Sequence, residues 1–166
     1  MVIRHAEPAD LPAIVAIYNA SIPGRMATAD LEPVTVRARE PWFREFDPVR
    51  RPLWVGCDAT GTAVAGWLSL RLFYGRPAYD ATVEVAVYCA PDRRRRGVAR
   101  SLLTHAIDAA PACGARTLLG FIFGHNAPSL SLFEAMGFER WGLLPGVAEL
   151  DGTVRDLAIL GRRVGS

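Results

Sequence analysis

Lysine is absent from this chain, so all 19 of its basic residues are arginines. We attribute this absence to coding bias in a GC-rich genome and give it no physical weight. Cysteine is scarce as well: Cys57, Cys89 and Cys113 form no C-x-x-C pair and accompany no histidine pattern typical of zinc. The spacing excludes a disulfide framework and a zinc finger, and it indicates buried thiols in a reducing compartment.

Long apolar runs and a strong net charge are also missing. No stretch approaches the roughly 20 apolar residues that a membrane-spanning helix needs. The formal net charge of +2 is too small for nucleic-acid binding across a whole surface. The chain begins with strand-like residues 2–4 rather than with a charged segment and an apolar one, as a secretory signal would. We therefore expect a soluble, cytoplasmic protein without a metal, and we leave homodimer formation open.

The composition is typical of one folded domain. A chain of 166 residues, 51% hydrophobic and 22% charged, can bury a sizeable core without disulfide or metal support. The sequence contains no repeat, no low-complexity segment and no linker that would separate domains. We predict a single domain over residues 1–166.

Hydrophobic periodicity predicts both helices and strands along the chain. The predicted order is a strand, two helices, several antiparallel strands, a helix, a strand, a helix and two closing strands. Asp10 is predicted to cap the first helix, and Pro41 to interrupt the second, over residues 34–46. Because hairpins occur together with crossover helices, we predict a mixed α/β (α+β) fold. Its central sheet would have about seven strands, mostly antiparallel, with helices on both faces.

A basic turn containing a glycine lies between a predicted strand, residues 82–89, and a predicted helix, residues 99–110. The turn reads Arg94-Arg95-Arg96-Gly97-Val98-Ala99. The first N–H groups of a helix lack intrahelical partners and the helix dipole is positive there, so a pyrophosphate is stabilised at such a position. The spacing matches neither a P-loop nor a dinucleotide-binding fingerprint. Taken alone, the arginines could equally be a solvated turn.

Two further features favour a cofactor site over a solvated turn. The segment from Asn126 to Phe138 predicts a helix start, an amphipathic helix, and Gly137 at the helix end. The second feature is Glu84, an acid within an apolar strand, on the same face as Ala86 and Tyr88. Glu84 is a candidate general base, and the alternative is a structural carboxylate paired with an arginine such as Arg76.

In order and spacing, these three elements resemble the GCN5-related N-acetyltransferase (GNAT) family, and residues 76–84 and 3–10 resemble its phosphinothricin and methionine sulfoximine acetyltransferases. The resemblance covers nearly the whole chain. It implies an acetyl-CoA-dependent transfer of an acetyl group to an amine, with Glu84 as the general base. It also implies that the pyrophosphate, the thioester carbonyl and the pantetheine arm of acetyl-CoA contact Val85, Ala86, Val87, Tyr88, Arg94, Arg95, Arg96, Gly97, Val98, Ala99, Asn126, Ser129 and Phe133.

A general acid for the leaving thiolate is not assigned. Relatives of this kind often place Tyr or His where this chain has Phe133, which has no proton to give. A CoA thiolate is a good leaving group that water can protonate. Among the histidines, only His125 is a candidate for a cofactor contact, because it adjoins the Asn126 segment.

The acceptor is expected to contact the segment before the Glu84 strand. We predict that Arg76 binds a carboxylate of the acceptor, since a guanidinium recognises a carboxylate through two hydrogen bonds. The alternative is an Arg76 that pairs with Asp80 or is exposed. The other predicted acceptor-binding residues are Phe73, Tyr74, Pro77, Ala78, Tyr79 and Val83.

Other functions stay open on the sequence alone. The same chemistry could act on a protein N-terminus, a polyamine or an aminoglycoside. An acidic groove would favour the polyamine or the aminoglycoside, but the loops of this chain are not acidic. The presence of Glu84 argues against a second hypothesis, a non-catalytic acyl-CoA sensor. An RNA-binding domain using Arg93 to Arg96 is disfavoured because no aromatic stacking platform accompanies the arginines.

Overall fold

The computed structural model describes residues 1–165 and contains, within them, seven strands and four α-helices. The strands are β1 (Val2–His5), β2 (Leu53–Cys57), β3 (Val64–Leu72), β4 (Thr82–Cys89), β5 (Thr117–Phe123), β6 (Glu139–Leu150) and β7 (Thr153–Arg163). The helices are α1 (Leu11–Asn19), α2 (Val36–Arg44), α3 (Val98–Ala109) and α4 (Ala127–Ala135). None of these described helices has the length and apolar character needed to cross a membrane.

All seven strands form one sheet in the order β1-β2-β3-β4-β5-β7-β6. Every neighbouring pair is antiparallel except β4 and β5, which are parallel. The exception follows from connectivity, because α3 crosses over between β4 and β5 and returns the chain in the same direction. The predicted mixed, mostly antiparallel sheet is confirmed.

Helices cover both faces of the sheet, as predicted. On one face, Ile14 and Ile17 of α1 pack against Val55 and Trp67. On the other face, α3 and α4 bury a larger cluster that contains Leu68, Val83, Leu102, Leu103 and Phe133. Since side chains alternate along a strand, β3 sends Trp67 to the first face and Leu68 to the second. The two faces therefore have separate cores.

Two local predictions are corrected. Asp10 precedes α1 but does not cap it; its carboxylate accepts hydrogen bonds from Arg4 at 2.7 and 2.9 Å and from the Glu7 backbone N–H at 2.8 Å. The charged guanidinium is the stronger partner, and it fastens β1 to the start of α1. Helix α2 is shorter than predicted and continues through Pro41, with Thr35 accepting a hydrogen bond from the Ala38 N–H at 3.1 Å.

Candidate active site

Strands β4 and β5 separate partway along their length. Their pairing covers only Thr82, Val83 and Glu84, opposite residues 117–119, although both strands continue beyond this point. Residues 85–89 therefore keep β3 as a partner on one side and have no strand on the other. Because alternate N–H groups of a strand point to opposite sides, some of those of Val85 to Tyr88 face the gap. The gap offers hydrogen bonds to an extended ligand.

The predicted phosphate-binding turn lies at the end of this gap. Gly97 adopts φ +80°, and α3 begins at the next residue. A Cβ built on Gly97 would meet nothing within 4 Å, so the approach to the helix N-terminus is open. Arg94, Arg95 and Arg96 are exposed and form no ion pair within residues 1–165. Three exposed arginines thus directly precede an open helix N-terminus, a setting that stabilises an anion.

Glu84 stands at the other end of the gap, in a cavity of about 120 Å³. Strand alternation places Glu84, Ala86 and Tyr88 on this face, beneath α1 and α2. The remaining walls are formed by Ile14, Val15, Tyr18, Arg39, Trp42, Trp67, Ser69 and Arg71. The volume is below the ~300–1,000 Å³ of drug-sized sites, which favours a small acceptor.

The surroundings of Glu84 suit a base. Burial raises the pKa of its carboxyl group above the ordinary value, and the positive charge of Arg71 opposes that rise. Within residues 1–165 the Glu84 carboxylate forms no ion pair. The alternative of a structural carboxylate paired with Arg76 therefore has no support. A partly buried, unpaired carboxylate is available to accept a proton.

The wall opposite Glu84 is fixed by a chain of hydrogen bonds. The Tyr18 hydroxyl lies 2.6 Å from the Thr28 hydroxyl and donates to the Asp30 carboxylate at 2.5 Å. Arg39 donates to the same carboxylate at 3.1 Å and stacks over the Tyr18 ring, with its guanidinium carbon 4.5 Å from the centroid. Tyr88 stacks on Trp67 at 4.6 Å between ring centroids. These contacts set the positions of the Tyr18, Arg39 and Tyr88 side chains that line the cavity.

His125 and Asn126 connect the start of α4 to the loop between α1 and α2, which contributes to this wall. The Asn126 side chain accepts a hydrogen bond from the Ser129 N–H at 3.2 Å, which caps α4, and donates to the Met26 carbonyl at 2.8 Å. The preceding residue, His125, places its Nε2 atom 2.7 Å from the Arg25 carbonyl oxygen. The Asn126 segment therefore holds the loop between α1 and α2 in place.

Phe133 is part of the core. It is 2% exposed and packs edge-on against Phe138, with ring centroids 4.8 Å apart. A Cβ on Gly120 of β5 would lie 2.6 Å from the Phe133 ring, so the glycine makes room for it. The structure places no proton donor at this position, in agreement with the sequence.

The residues predicted for the acceptor are only partly brought together. Phe73 packs against Tyr79 and Phe121, at centroid distances of 5.7 and 6.2 Å, and Tyr74 is 67% exposed. Arg76 and Pro77 line a separate shallow cleft together with Leu72, Gly75 and Asp80. Ala78 is exposed on the same loop, and Val83 is fully buried in the core. None of the seven lines the Glu84 cavity.

The cavity's own polar residues, apart from Glu84 and Tyr88, were not predicted from the sequence; they are Tyr18, Arg39, Ser69 and Arg71. One signal could have found Arg71, because β3 and β4 form a hairpin in which Arg71 pairs directly with Glu84. No short pattern marks Arg39, which reaches the cavity only because α2 packs on this face of the sheet.

The gap between β4 and β5 leads from the N-terminus of α3 to the half-buried carboxylate of Glu84. An extended ligand that carries phosphate groups could therefore reach the buried acid. Comparisons with known proteins identify the family.

Residues 14–138 match the family model described as the Acetyltransferase (GNAT) family. The chain is 52% identical over 164 residues to Bacillus subtilis YwnH, provisionally named a phosphinothricin acetyltransferase, with 99% of each chain covered. It is 34% identical over 158 residues to the L-methionine sulfoximine/L-methionine sulfone acetyltransferase of Pseudomonas paraeruginosa, covering 95% of this chain and 91% of the relative. A solved phosphinothricin acetyltransferase from Sinorhizobium meliloti, in complex with AcCoA, superposes with a TM-score of 0.92 at 30% identity, covering 99% of this chain and 88% of that one.

The chain belongs to the GNAT family and is an N-acetyltransferase. The three relatives described above are named for phosphinothricin or for methionine sulfoximine and sulfone.

Proposed function

We propose that the protein transfers the acetyl group of acetyl-CoA to the α-amine of a small amino-acid-like acceptor such as phosphinothricin or methionine sulfoximine. The observation that carries this proposal is the small cavity holding an unpaired, half-buried Glu84 at the end of the gap between β4 and β5. Relatives named for these substrates, and a solved relative in complex with AcCoA, support it.

In the proposed reaction, Glu84 accepts a proton from the acceptor's ammonium group, directly or through one water. The freed nitrogen attacks the thioester carbonyl carbon, a C–N bond forms, and the C–S bond breaks. Backbone N–H groups of residues 85–88 stabilise the oxygen on which negative charge develops. The CoA thiolate leaves, and the second proton that the nitrogen loses reaches the thiolate through water. No second side chain is required for proton transfer.

For the cofactor, we propose that Arg94 to Ala99 bind the pyrophosphate. Asn126 and Ser129 would line the path of the pantetheine arm, whereas Phe133 is buried in the core and would support α4 without touching the cofactor. The open approach to Gly97 supports the first assignment. Asn126 would act through the position of its segment, since its own amide is already engaged by Met26 and Ser129.

We also propose that the enzyme is cytoplasmic and forms a homodimer. Three free cysteines support a reducing compartment. The edge strand β6 supports a partner subunit, because Trp141, Leu143, Leu144 and Val147 are 41–57% exposed along it.

Binding of acetyl-CoA should raise the melting temperature of the protein. A ligand that binds only the native state adds RT ln(1 + [L]/Kd), about 2.7 kcal/mol at a hundredfold excess over Kd. For a chain of this length that corresponds to a shift of roughly 5–10 °C. A thermal melt with and without acetyl-CoA measures it, with acetate as the control. No shift in a folded sample would remove the cofactor assignment.

A screen for CoA release should then identify the acceptor. Amino acids and their phosphinate, sulfoximine and sulfone analogues are compared with polyamines, an aminoglycoside and short peptides. Turnover restricted to the last three classes would overturn the proposed acceptor and keep the enzyme class.

The rate should depend on pH through Glu84. The base must be ionised, and burial raises its pKa, so kcat/KM is lost as pH falls through a midpoint above that of an exposed glutamate, about 4.3. Profiles from pH 5 to 9 for the wild type and for Glu84→Gln separate this limb from the titration of the acceptor's amine. An acid limb of the same midpoint in both proteins would contradict the assignment.

A further inference from the structure

Arg71 is a charged residue of the Glu84 cavity to which the proposed reaction gives no role. It lines the cavity together with Glu84, and the two residues are direct partners in the antiparallel pairing of β3 with β4. Directly opposite residues have Cβ atoms about 4.5–5.5 Å apart and point to the same face. The site therefore presents a cation and a carboxylate side by side.

Resting on the proposed acetylation of an amino-acid-like acceptor, we propose that Arg71 binds the acceptor's α-carboxylate while Glu84 faces its α-amine. The two charged groups of an α-amino acid are attached to one carbon atom, so a matched pair of opposite charges on neighbouring strands can engage both. A guanidinium can hold the carboxylate through two parallel hydrogen bonds, which fixes the orientation of the amine.

Of the two arginines that line the cavity, Arg71 forms the longer ion pair with another residue of the protein. Its guanidinium lies 3.6 Å from the carboxylate of Glu45, a side chain that is 60% exposed. A loose, solvated ion pair contributes little, and a substrate can replace it. Arg71 is thus available.

Arg39 is already engaged. It lies 3.1 Å from Asp30, and it stacks on the rings of Tyr18 and Trp42 at 4.5 and 5.4 Å. These contacts fix Arg39 as part of the wall and neutralise its charge. The charge of Arg39 is thus better neutralised by the protein than that of Arg71. A carboxylate that enters the cavity is therefore expected to bind Arg71.

Arg76, the arginine that the sequence predicts for this role, lies elsewhere. Its cleft is lined by Asp80 and does not include Glu84. Asp80 is itself bound by Arg50 and by the buried Arg51. An acceptor held by Arg76 in that cleft would not place its amine in the cavity with Glu84.

Binding of the carboxylate at Arg71 also affects the base. In the free enzyme the charge of Arg71 lowers the pKa of Glu84 against the effect of burial. A carboxylate that neutralises Arg71 removes this stabilisation, so the carboxylate of a bound acceptor raises the pKa of Glu84, while the ammonium group of the acceptor lowers it. An acceptor without a carboxylate leaves the base weaker.

The test compares L-methionine sulfone with its α-carboxamide at saturating acetyl-CoA, with CoA release as the readout. The wild type should prefer the acid by about ten- to a hundredfold in kcat/KM. Arg71→Gln should lose that factor for the acid and change little for the amide, so the preference disappears. Arg71→Lys should keep part of it. The KM for acetyl-CoA should not change.

Three controls complete the design. Arg44→Gln removes an equally charged side chain that is 75% exposed and pairs with Glu40, so the preference for the acid should remain. With the amide, Arg71→Gln should move the acid limb of kcat/KM to higher pH, because Glu84 loses a stabilising charge. Arg76→Gln tests the competing assignment.

If Arg71→Gln still prefers the acid over the amide, the proposal is overturned. If Arg76→Gln loses this preference and Arg71→Gln keeps it, the carboxylate binds at the loop between β3 and β4. A wild type that binds acetyl-CoA but acetylates neither compound would overturn the proposed acceptor class, and this inference with it.

Discussion

Replacing Glu84 with Gln should lower kcat/KM by a factor of about 10² to 10⁴ at neutral pH. The amide keeps the shape of the side chain and cannot accept the ammonium proton. Glu84 is the one carboxylate that lines the acceptor cavity within residues 1–165, so no neighbouring acid there can take over. The measurement is the steady-state rate of CoA release with the best acceptor from the screen.

Stability and cofactor binding separate a catalytic role from a structural one. Because burial disfavours the charged form of Glu84, the substitution should not lower the free energy of unfolding. The shift of the melting temperature with acetyl-CoA should persist. Glu139→Gln, at an exposed site on the distant β6, removes the same charge as a control. If Glu84→Gln turns over as fast as the wild type, Glu84 is not the general base.

Local patterns sufficed for the parts of the site that are contiguous in sequence. Alternation along residues 82–89 predicts that Glu84 faces away from Val83 and Val85, and the structure puts those valines in the core. The basic turn before α3 is also local, since Gly97 and the helix start are adjacent residues. Both features follow from strand and helix periodicity.

The acceptor cavity could not be predicted in the same way, because distant segments form it. Arg71 lies 13 positions before Glu84 but beside it in space, and only the register of the hairpin shows this. Arg39 and Tyr18 arrive from helices whose packing on the sheet depends on the whole core. Arg76 was predicted to bind the acceptor because it lies close to Glu84 in sequence. In the structure, the loop between β3 and β4 places Arg76 in a separate cleft.

Replacing Gly97 with Val should abolish the acetyl-CoA shift of the melting temperature, removing roughly 5–10 °C. Two physical effects act together. A side chain at φ +80° is strained, and it would occupy the space that is open in front of the first N–H groups of α3. A pyrophosphate could then no longer approach the helix N-terminus or the neighbouring arginines. Activity should be lost with the binding.

Gly61→Val is the matched control for strain. Gly61 has φ +78°, a Cβ at this position would also meet nothing within 4 Å, and the residue lies in the turn between β2 and β3 and not at a helix N-terminus. Both variants should lose a similar amount of stability without ligand, of order 1–3 kcal/mol. Only Gly97→Val should lose the response to acetyl-CoA. An equal response in the two variants would mean that the cofactor's phosphates bind somewhere other than the turn at Gly97, because the strain is shared and only the position differs.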